Sequence, residues 1–362
     1  MAQVTVYATA IITNWDTALG WNSQADGLGT NYTNPQNGGG TTYDCVLNNR
    51  AVTLNVDVTV DAIRAPASDT GTLTVSGTRI ITVSATNGVA YGHTLTTGMV
   101  IVPTGTNINI TSTGGAGTNA VTNTSTGHCV VSAGTAIVSF SNSGGVALNN
   151  SGAGRAFNPG ASGAVAITGD IQNSGSGQCV QGIGACTVTF AGNVISSNGN
   201  ALRQTQGSQL WNWTPGSGAS IQISGGTAAI SWEAGTLSIL GNFSTSNTAT
   251  LALANPINIT GGTVVWTGSR TLAASADCVI RQSGGTLTLA SVSAALELAN
   301  SGTFVIYKSA GTLNTANVGA GAASIKLQNS TSYAAILGGT NAQKSIISSD
   351  RKYFLGGRVI RR

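Results

Sequence analysis

Gly127-His-Cys-Val130 consists of a glycine, a variable polar residue, a Cys or Ala position and an apolar residue. The same pattern recurs as Gly154-Arg-Ala-Phe157, Gly177-Gln-Cys-Val180 and Gly199-Asn-Ala-Leu202. We call these four stretches the anchors. The four glycines follow one another at nearly regular intervals. Ahead of the later copies lie short alternating stretches, such as Thr187-Val-Thr-Phe190, and a polar bend rich in Gly, Asn and Ser separates each stretch from its anchor. Alternation of this kind predicts a β-strand, and the bends predict corners.

The repeat length indicates the architecture. A period of about 20 to 30 residues is typical of solenoids, in which each unit buries its apolar face only against its neighbours. A coil of about 23 residues has room for three short strands, and no window shows the three- and four-residue apolar spacing of a helix. We therefore predict an all-β fold, a right-handed parallel β-helix of roughly 12 coils with a cap at each end.

Composition agrees with this fold class. Glycine makes up 50 of 362 residues, 41% of residues are hydrophobic, and only 7% are charged. Such a chain is too apolar for disorder, and it contains no apolar run long enough to span a membrane as a helix. A solenoid accommodates the length because its core grows longer rather than thicker.

Three segments are expected. Residues 1–45 form an N-terminal cap or attachment segment, residues 46–330 the β-helix body, and residues 331–362 a C-terminal cap or basic arm. The first segment lacks the basic and apolar regions of a secretory signal. Its Trp15 and Trp21 fit either a plug for the first coil or a platform for a sugar or partner, and we favour the plug.

The first coil carries a resemblance. Residues 50–60 read Arg-Ala-Val-Thr-Leu-Asn-Val-Asp-Val-Thr-Val, with every second residue apolar from Val52. After a lead-in that contains Trp-Asn, this stretch resembles the opening coil of right-handed parallel β-helix proteins, among them phage virion proteins and bacterial adhesin-like surface proteins. The resemblance implies the fold, and it implies little about activity because many functions use this fold.

A second motif, Gly-Thr followed by apolar residues at period two, marks further strand starts. It occurs at Gly71, Gly235, Gly262, Gly285 and Gly302. Glycine turns the corner and threonine begins the strand. The copies at Gly285 and Gly302 stand closer together than those at Gly262 and Gly285, which predicts that the final coils shorten or omit a side.

Charge is concentrated near the C-terminal end of the sequence. The last twelve residues contain five basic residues and no acid, whereas residues 1–350 hold 10 basic and 11 acidic residues. We predict either a strand that caps the open end of the solenoid, which we favour, or an arm that contacts another subunit or a partner. The candidate contact residues are Arg351, Lys352, Tyr353, Phe354, Arg358, Arg361 and Arg362, together with Trp15 and Trp21.

The residues needed for catalysis or metal binding are scarce. Five cysteines form no Cys-x-x-Cys, there are two histidines, and the odd cysteine count favours free thiols. Asp57 and Asp61 share one strand face but lie about 13 Å apart, beyond the usual spacing of a glycosidase pair. We predict no catalytic residue, metal site or cofactor.

A binding site is harder to exclude. Trp211 and Trp213 share a strand face, with Arg203 and Gln209 just before them. These four residues are candidates for glycan binding, because flat aromatic rings and amides suit sugars. The alternative is that both rings point into the coil or a subunit interface.

We therefore predict a non-enzymatic structural protein, a phage virion component such as a capsid decoration, fibre or spike, located in the virion. Expected partners are copies of itself, with a trimer favoured, and other virion proteins. Surface glycans are a further candidate; nucleic acid and a membrane span are not expected. The first alternative is an adhesin-like carbohydrate-binding module at the bacterial surface, and the second is a polysaccharide depolymerase.

Overall fold

The computed structural model describes most of the chain up to residue 240 and shorter segments thereafter. The described residues are 2–92, 98–160, 163–182, 184–214, 220–225, 228–240, 244–247, 255–267, 270–273, 278–290, 296–299, 303–308, 310–314, 325–327, 333–338, 345–348, 353–355 and 358–360. These residues contain β-strands and no helix. The chain divides into two compact units, residues 1–188 and 189–362, which we take in turn.

Eighteen strands lie in the first unit. They are β1 Ala2–Ala8, β2 Trp21–Asn22, β3 Asn31–Tyr32, β4 Thr41–Val46, β5 Ala51–Leu54, β6 Val58–Val60, β7 Ala62–Ala65, β8 Thr72–Val75, β9 Thr78–Val83, β10 Val89–Tyr91, β11 Val100–Val102, β12 Asn107–Ser112, β13 Asn119–Asn123, β14 His128–Ser132, β15 Ile137–Asn150, β16 Arg155–Asn158, β17 Ala164–Asn173 and β18 Val180–Gly182. Strand β19, Thr187–Ala191, crosses the boundary between the units.

The second unit continues with short strands. They are β20 Val194–Ser196, β21 Leu202–Gln204, β22 Leu210–Trp213, β23 Ser220–Ile223, β24 Ala228–Trp232, β25 Thr236–Ile239, β26 Ser244–Asn247, β27 Asn255–Ile259, β28 Thr263–Thr267, β29 Arg270–Ala273, β30 Cys278–Gln282, β31 Thr286–Ala290, β32 Leu296–Ala299, β33 Thr303–Lys308, β34 Thr312–Asn314, β35 Ile325–Leu327, β36 Tyr333–Gly338, β37 Ser345–Ser348, β38 Tyr353–Leu355 and β39 Arg358–Ile360.

In the first unit, each coil contributes one strand to each of three parallel columns. Three strands per coil were predicted from the coil length. One column pairs β5, β8, β11, β14, β16 and β18 in sequence. A second pairs β6, β9 and β12 with the first halves of β15 and β17. A third pairs β1, β4, β7, β10 and β13 with the second halves of β15 and β17. Each turn therefore visits three sides before it returns one strand higher.

The repeated anchors occupy equivalent places in this unit. Val130 pairs with Phe157 and Phe157 with Val180, so the spacing read from the sequence gives the register. Their glycines permit close stacking: a Cβ on Gly154 would overlap the carbonyl oxygen of Gly127, and one on Gly177 would overlap that of Gly154. Successive coils could not approach this closely with any larger residue.

A ladder of buried asparagines lines one interior corner of the first unit. Asn123, Asn150 and Asn173 are fully buried. The Nδ2 of Asn123 donates to Oδ1 of Asn150 at 2.9 Å, and the Nδ2 of Asn150 donates to Oδ1 of Asn173 at 2.7 Å. The same amides also bond to backbone carbonyls of the adjacent bend, for example Asn173 to Gly177 at 2.9 Å. Burial of these polar groups is therefore compensated by hydrogen bonds within and between coils.

In the second unit, the Gly-Thr motif forms a column that starts β25, β28, β31 and β34. Threonines 236, 263, 286 and 312 pair in that order, and the backbone N–H of Thr286 donates to the carbonyl of Gly262 at 2.8 Å. The glycines before them adopt positive φ, 61° at Gly262 and 59° at Gly285, which glycine tolerates without strain. The predicted role of this motif as a corner followed by a strand is confirmed at these positions.

The interpretation of the last spacing was wrong. The Gly302 copy precedes β33, which pairs with β30 on another side of the coil, and the next member of the threonine column is Thr312. The short interval from Gly285 to Gly302 therefore joins two different sides of a coil, and it does not reflect a shortened coil.

The second unit ends in a different kind of pairing. Strand β36 is parallel to β33 but antiparallel to β37, and β38 and β39 follow in the same antiparallel manner. The change falls between β36 and β37, after residue 338, within the expected C-terminal segment. The three predicted segment boundaries themselves stay predictions.

The predicted fold class is confirmed as an all-β chain whose parallel sheets stack into a β-solenoid. The solenoid has about seven turns, against the roughly 12 coils estimated from the sequence. The coils also differ in size. Val52 pairs with Leu73 across a short coil, and Val100 pairs with Val130 across a longer one.

Candidate functional site

The tryptophan pair proposed for glycan stacking lies in the core of the second unit. Trp211 and Trp213 are both fully buried in β22, while Leu210 on the same strand is 39% exposed. The indole N–H of Trp213 donates to the carbonyl of Gly192 at 3.2 Å. Neither ring can face a sugar in this arrangement, so the assignment of these rings as a glycan platform was wrong and the inward alternative is correct.

These rings belong to an aromatic cluster that fills the coil. Phe190 stacks on Trp213 with ring centroids 5.8 Å apart and an interplanar angle of 4°. Trp211 meets the edge of Trp232 at 5.6 Å and that of Phe190 at 6.2 Å. Aromatic pairs prefer such offset and edge-on contacts, so the cluster stabilises the interior of this unit.

The two polar members of the same proposal also have internal partners. Gln209 is fully buried, and its Oε1 accepts a hydrogen bond from the indole N–H of Trp211 at 2.7 Å. The guanidinium of Arg203 forms an ion pair with Glu233 at 2.8 Å on a partly exposed surface. Gln209 is therefore a core residue, and Arg203 is the only one of the four candidates with an appreciable surface.

Trp15 and Trp21 are buried as well. Their ring centroids lie 4.7 Å apart, and the indole N–H of Trp21 donates to the carbonyl of Trp15 at 2.8 Å. Both rings pack at the first turn, where β1 pairs with β2 and β4. This position fits the plug that the sequence favoured. It contradicts their use as a contact surface for a partner or a sugar.

The surface around this plug exposes large hydrophobic side chains that the sequence analysis missed. We call residues 9–33 the entry loops. They carry three of the seven large hydrophobic side chains that are exposed in the described residues: Ile11 at 58%, Leu19 at 53% and Leu28 at 82%. Each of the three sits beside buried or polar neighbours, so no apolar periodicity marks it in the sequence.

A buried amide fixes part of the entry loops. Asn22 is fully buried, and its Nδ2 donates to the carbonyls of Gly27 at 3.1 Å and Gly29 at 3.0 Å. Its Oδ1 accepts the backbone N–H of Gly29 at 3.0 Å. From the first coil, the Nδ2 of Asn48 donates to the carbonyl of Ala25 at 3.1 Å. The loop that carries Leu28 is thus held at both its base and its tip.

The candidate contact residues near the C-terminal end lie in and around the antiparallel strands. Tyr353 and Phe354 belong to β38, and Arg358 begins β39. Arg351, Lys352, Arg361 and Arg362 lie outside the described residues. Among the described strands, β39 pairs only with β38, which leaves it at the edge of its sheet.

The outer face of the first unit carries a column of hydroxyl groups. Five Ser or Thr residues stack in register across β6, β9, β12, β15 and β17: Thr59, Thr82, Thr111, Ser141 and Thr168. They alternate with buried residues and face away from the core, and their spacing is about 4.8 Å from strand to strand.

The reactive side chains of the first unit are shielded. The four cysteines of the first unit are buried free thiols, as expected from the odd count. Burial raises the pKa of Cys186 to about 11 and raises those of Cys129 and Cys179 further. Burial lowers the pKa of His128, and the charge of Arg155 on the neighbouring strand lowers it further. The raised pKa values keep the cysteine thiols protonated at neutral pH, and protonated thiols are weak nucleophiles.

Three carboxylates of the first unit are engaged in structural contacts. Asp57 accepts the backbone N–H of Ile80, Asp61 accepts Gln3 and Ser84, and Asp69 accepts three backbone N–H groups at 2.6 to 2.7 Å. No group of three His, Cys, Asp or Glu side chains among the described residues is arranged to hold a metal ion. Among the same residues, no helix has the length and apolarity to cross a membrane.

No protein-family model, no curated protein and no solved structure matches this chain.

Proposed function

We propose that this chain is a non-enzymatic structural protein that works by self-association, as a component of a phage virion such as a capsid decoration, fibre or spike. The observation that carries the proposal is the end of the second unit. There the parallel coil gives way to antiparallel strands and leaves β39 as an edge strand. Edge strands offer unpaired backbone groups and readily join another chain.

The placement of the aromatic and sulfur-containing residues supports the proposal. Trp211, Trp213, Cys129 and Cys179 are all buried and serve packing. The outer face of the first unit is lined with hydroxyl groups in a chain of which only 7% is charged. A surface of this kind suits a part that meets other proteins over its sides and is joined to its own copies at defined segments.

The test is the molar mass of the purified chain in solution, measured by light scattering with and without residues 331–362. We expect an assembly, with a trimer as the favoured state, that becomes monomeric on truncation. Circular dichroism and buried tryptophan fluorescence must be retained by the truncated form. A second variant with Arg361→Gln and Arg362→Gln separates the effect of charge from that of strand pairing. A monomeric full chain would refute self-association, and detection of the chain in purified particles checks the virion assignment separately.

A second candidate, an adhesin-like carbohydrate-binding module, is favoured by the hydroxyl column rather than by the tryptophans. Hydroxyl groups at regular spacing can hydrogen-bond a neutral polysaccharide. Titration calorimetry with neutral polysaccharides would show binding that weakens in Thr111→Val, which keeps the shape and removes the hydroxyl. Thr74→Val, on another side of the coil, is the matched control. Equal binding by both variants would eliminate this candidate.

A further inference from the structure

We infer that the entry loops of one copy bind residues 351–362 of a second copy, so that self-association is head to tail. We call residues 351–362 the basic tail. This inference rests on the proposed function and deepens it, because it names the surface on which the basic tail docks.

Exposed apolar surface is concentrated in the entry loops. Ile11, Leu19 and Leu28 are each more than half exposed and lie close together in the sequence, whereas the other exposed large hydrophobics of the described residues are between 39% and 50% exposed. A local concentration of exposed apolar side chains marks an interaction site more often than scattered ones do. The basic tail contains Tyr353, Phe354 and Leu355, so it supplies apolar side chains of its own.

The charges of the two segments are complementary. Residues 1–49 contain Asp16, Asp26 and Asp44 and no Lys or Arg, whereas the basic tail contains five basic residues and no acid. Asp44 is ion-paired with Arg64. Asp16 and Asp26 are exposed in the entry loops and accept only neutral donors among the described residues, Nδ2 of Asn55 at 2.7 Å and the backbone N–H of Leu28 at 3.0 Å. They therefore leave carboxylate charge available for a basic partner.

The entry loops are also pre-organised. The contacts of Asn22 and Asn48 hold the loop that displays Asp26 and Leu28. Leu19 has a φ of 58°, a left-handed conformation that a bulky residue adopts rarely, and its N–H donates to the hydroxyl of Thr33 at 3.0 Å. Backbone strain of this kind is concentrated at functional sites. A surface that is already ordered loses little entropy when it binds.

A second copy is the partner that these features favour. One sequence supplies both complementary surfaces, acidic and apolar in the entry loops and basic and apolar in the basic tail. Contacts between two different surfaces of identical chains either close into a ring, as in a trimer, or continue as a fibre. The entry loops also replace the two buried tryptophans as the contact surface near the start of the sequence.

Charge reversal tests the inference on the full chain. Asp16→Lys with Asp26→Lys should raise the dissociation constant of the assembly about tenfold or more, as measured by light scattering over a concentration series. Arg351→Glu with Lys352→Glu in the same chain should restore association, because the charges are again opposite. Asp57→Lys reverses an exposed acid outside the entry loops and should leave the mass unchanged. Failure of the combined reversal to restore association would overturn the inference.

A substitution that changes no charge tests the contribution of the exposed apolar side chains of the entry loops. Leu28→Ser should weaken association without changing the urea midpoint, because the side chain is 82% exposed. Leu240→Ser changes an exposed leucine in the second unit and should leave association intact. If both variants associate like the unaltered chain, the entry loops are not the docking surface.

The outcomes separate this inference from the proposed function. An assembly that depends on residues 331–362 but not on Asp16, Asp26 or Leu28 would keep self-association and refute docking on the entry loops. A full chain that is monomeric at all concentrations would refute both. Loss of association when Asp16 and Asp26 are reversed, and recovery when Arg351 and Lys352 are reversed as well, would support both.

Discussion

The interiors of the two units are filled by different kinds of side chain. The first unit fills a corner with Asn123, Asn150 and Asn173, whose side-chain amides bond from coil to coil. The second unit fills its coil with aromatic residues, among them Trp211 and Trp232, that meet edge to face. A parallel coil fixes the backbone positions. An interior position can then be occupied either by a large apolar side chain or by a polar side chain that hydrogen-bonds to the next coil. The two choices should respond differently to substitution.

The largest effect is expected in the aromatic interior. Trp211→Ala removes a fully buried ring and should lower the free energy of unfolding by about 3–5 kcal/mol. Urea unfolding followed by circular dichroism measures this loss. Leu210→Ala, on the exposed side of the same strand, is the control and should cost much less. A loss below about 1 kcal/mol for the tryptophan would mean that the cluster does not stabilise the unit.

The asparagine ladder should show an intermediate effect. Asn150→Ala removes the acceptor of Asn123 and the donor to Asn173, and we expect a loss of about 1–3 kcal/mol in the same urea experiment. Asn149→Ala is the matched control, because Oδ1 of Asn149 is buried without a hydrogen-bond partner in the described residues. Equal losses for the two variants would show that the inter-coil bonds add nothing.

Alkaline pH should weaken the first unit through its thiols. Burial raises the pKa of Cys186 to about 11 from an ordinary value of 9.0. Because the folded pKa is the higher one, this contribution to stability is complete below pH 9 and is lost as pH rises from 9 toward 11. Between these limits the free energy of unfolding should fall by about 1 kcal/mol per pH unit for each such thiol. Urea unfolding at pH 8 and pH 10 measures the slope, and Cys186→Ala should reduce it. An unchanged slope would contradict the assignment.

The smallest effect is expected at the surface of the second unit. Arg203 and Glu233 form a partly exposed ion pair, and such pairs contribute about 0–1 kcal/mol. A double-mutant cycle with Arg203→Ala and Glu233→Ala measures the coupling, which should decrease in high salt. A coupling free energy above about 2 kcal/mol would equal the contribution expected of the asparagine ladder. It would contradict the expectation that surface contacts stabilise less than interior ones.

Much of the first unit's interior could be predicted from spacing. The glycine anchors at 127, 154 and 177 gave the register, because only a coil of matching length aligns them. The asparagine ladder was missed although its signal was present. Asn123, Asn150 and Asn173 recur at the same intervals as these glycines, and each asparagine precedes its glycine by the same short step.

The candidate site was predicted less well, for a physical reason. Alternation at period two shows that Trp211 and Trp213 share a face, but it does not say which face is buried when the strand has one apolar and one amide residue opposite them. The Gly302 copy illustrates a similar limit, since one motif starts strands on two sides of the coil. The exposure of Ile11, Leu19 and Leu28 depends on loop geometry, which carries no period.

The asparagine ladder gives the first unit a direction of growth. Until the next coil is in place, Nδ2 of Asn150 lacks its bond to Asn173, and Nδ2 of Asn123 in turn depends on Asn150. A coil at the growing edge keeps the bonds from its amide to its own bend, as Asn173 does to Gly177, and lacks only the inter-coil bond that the next coil supplies. Folding of this unit should proceed as addition to an edge, like the extension of a one-dimensional crystal, with each layer acting as the template for its successor.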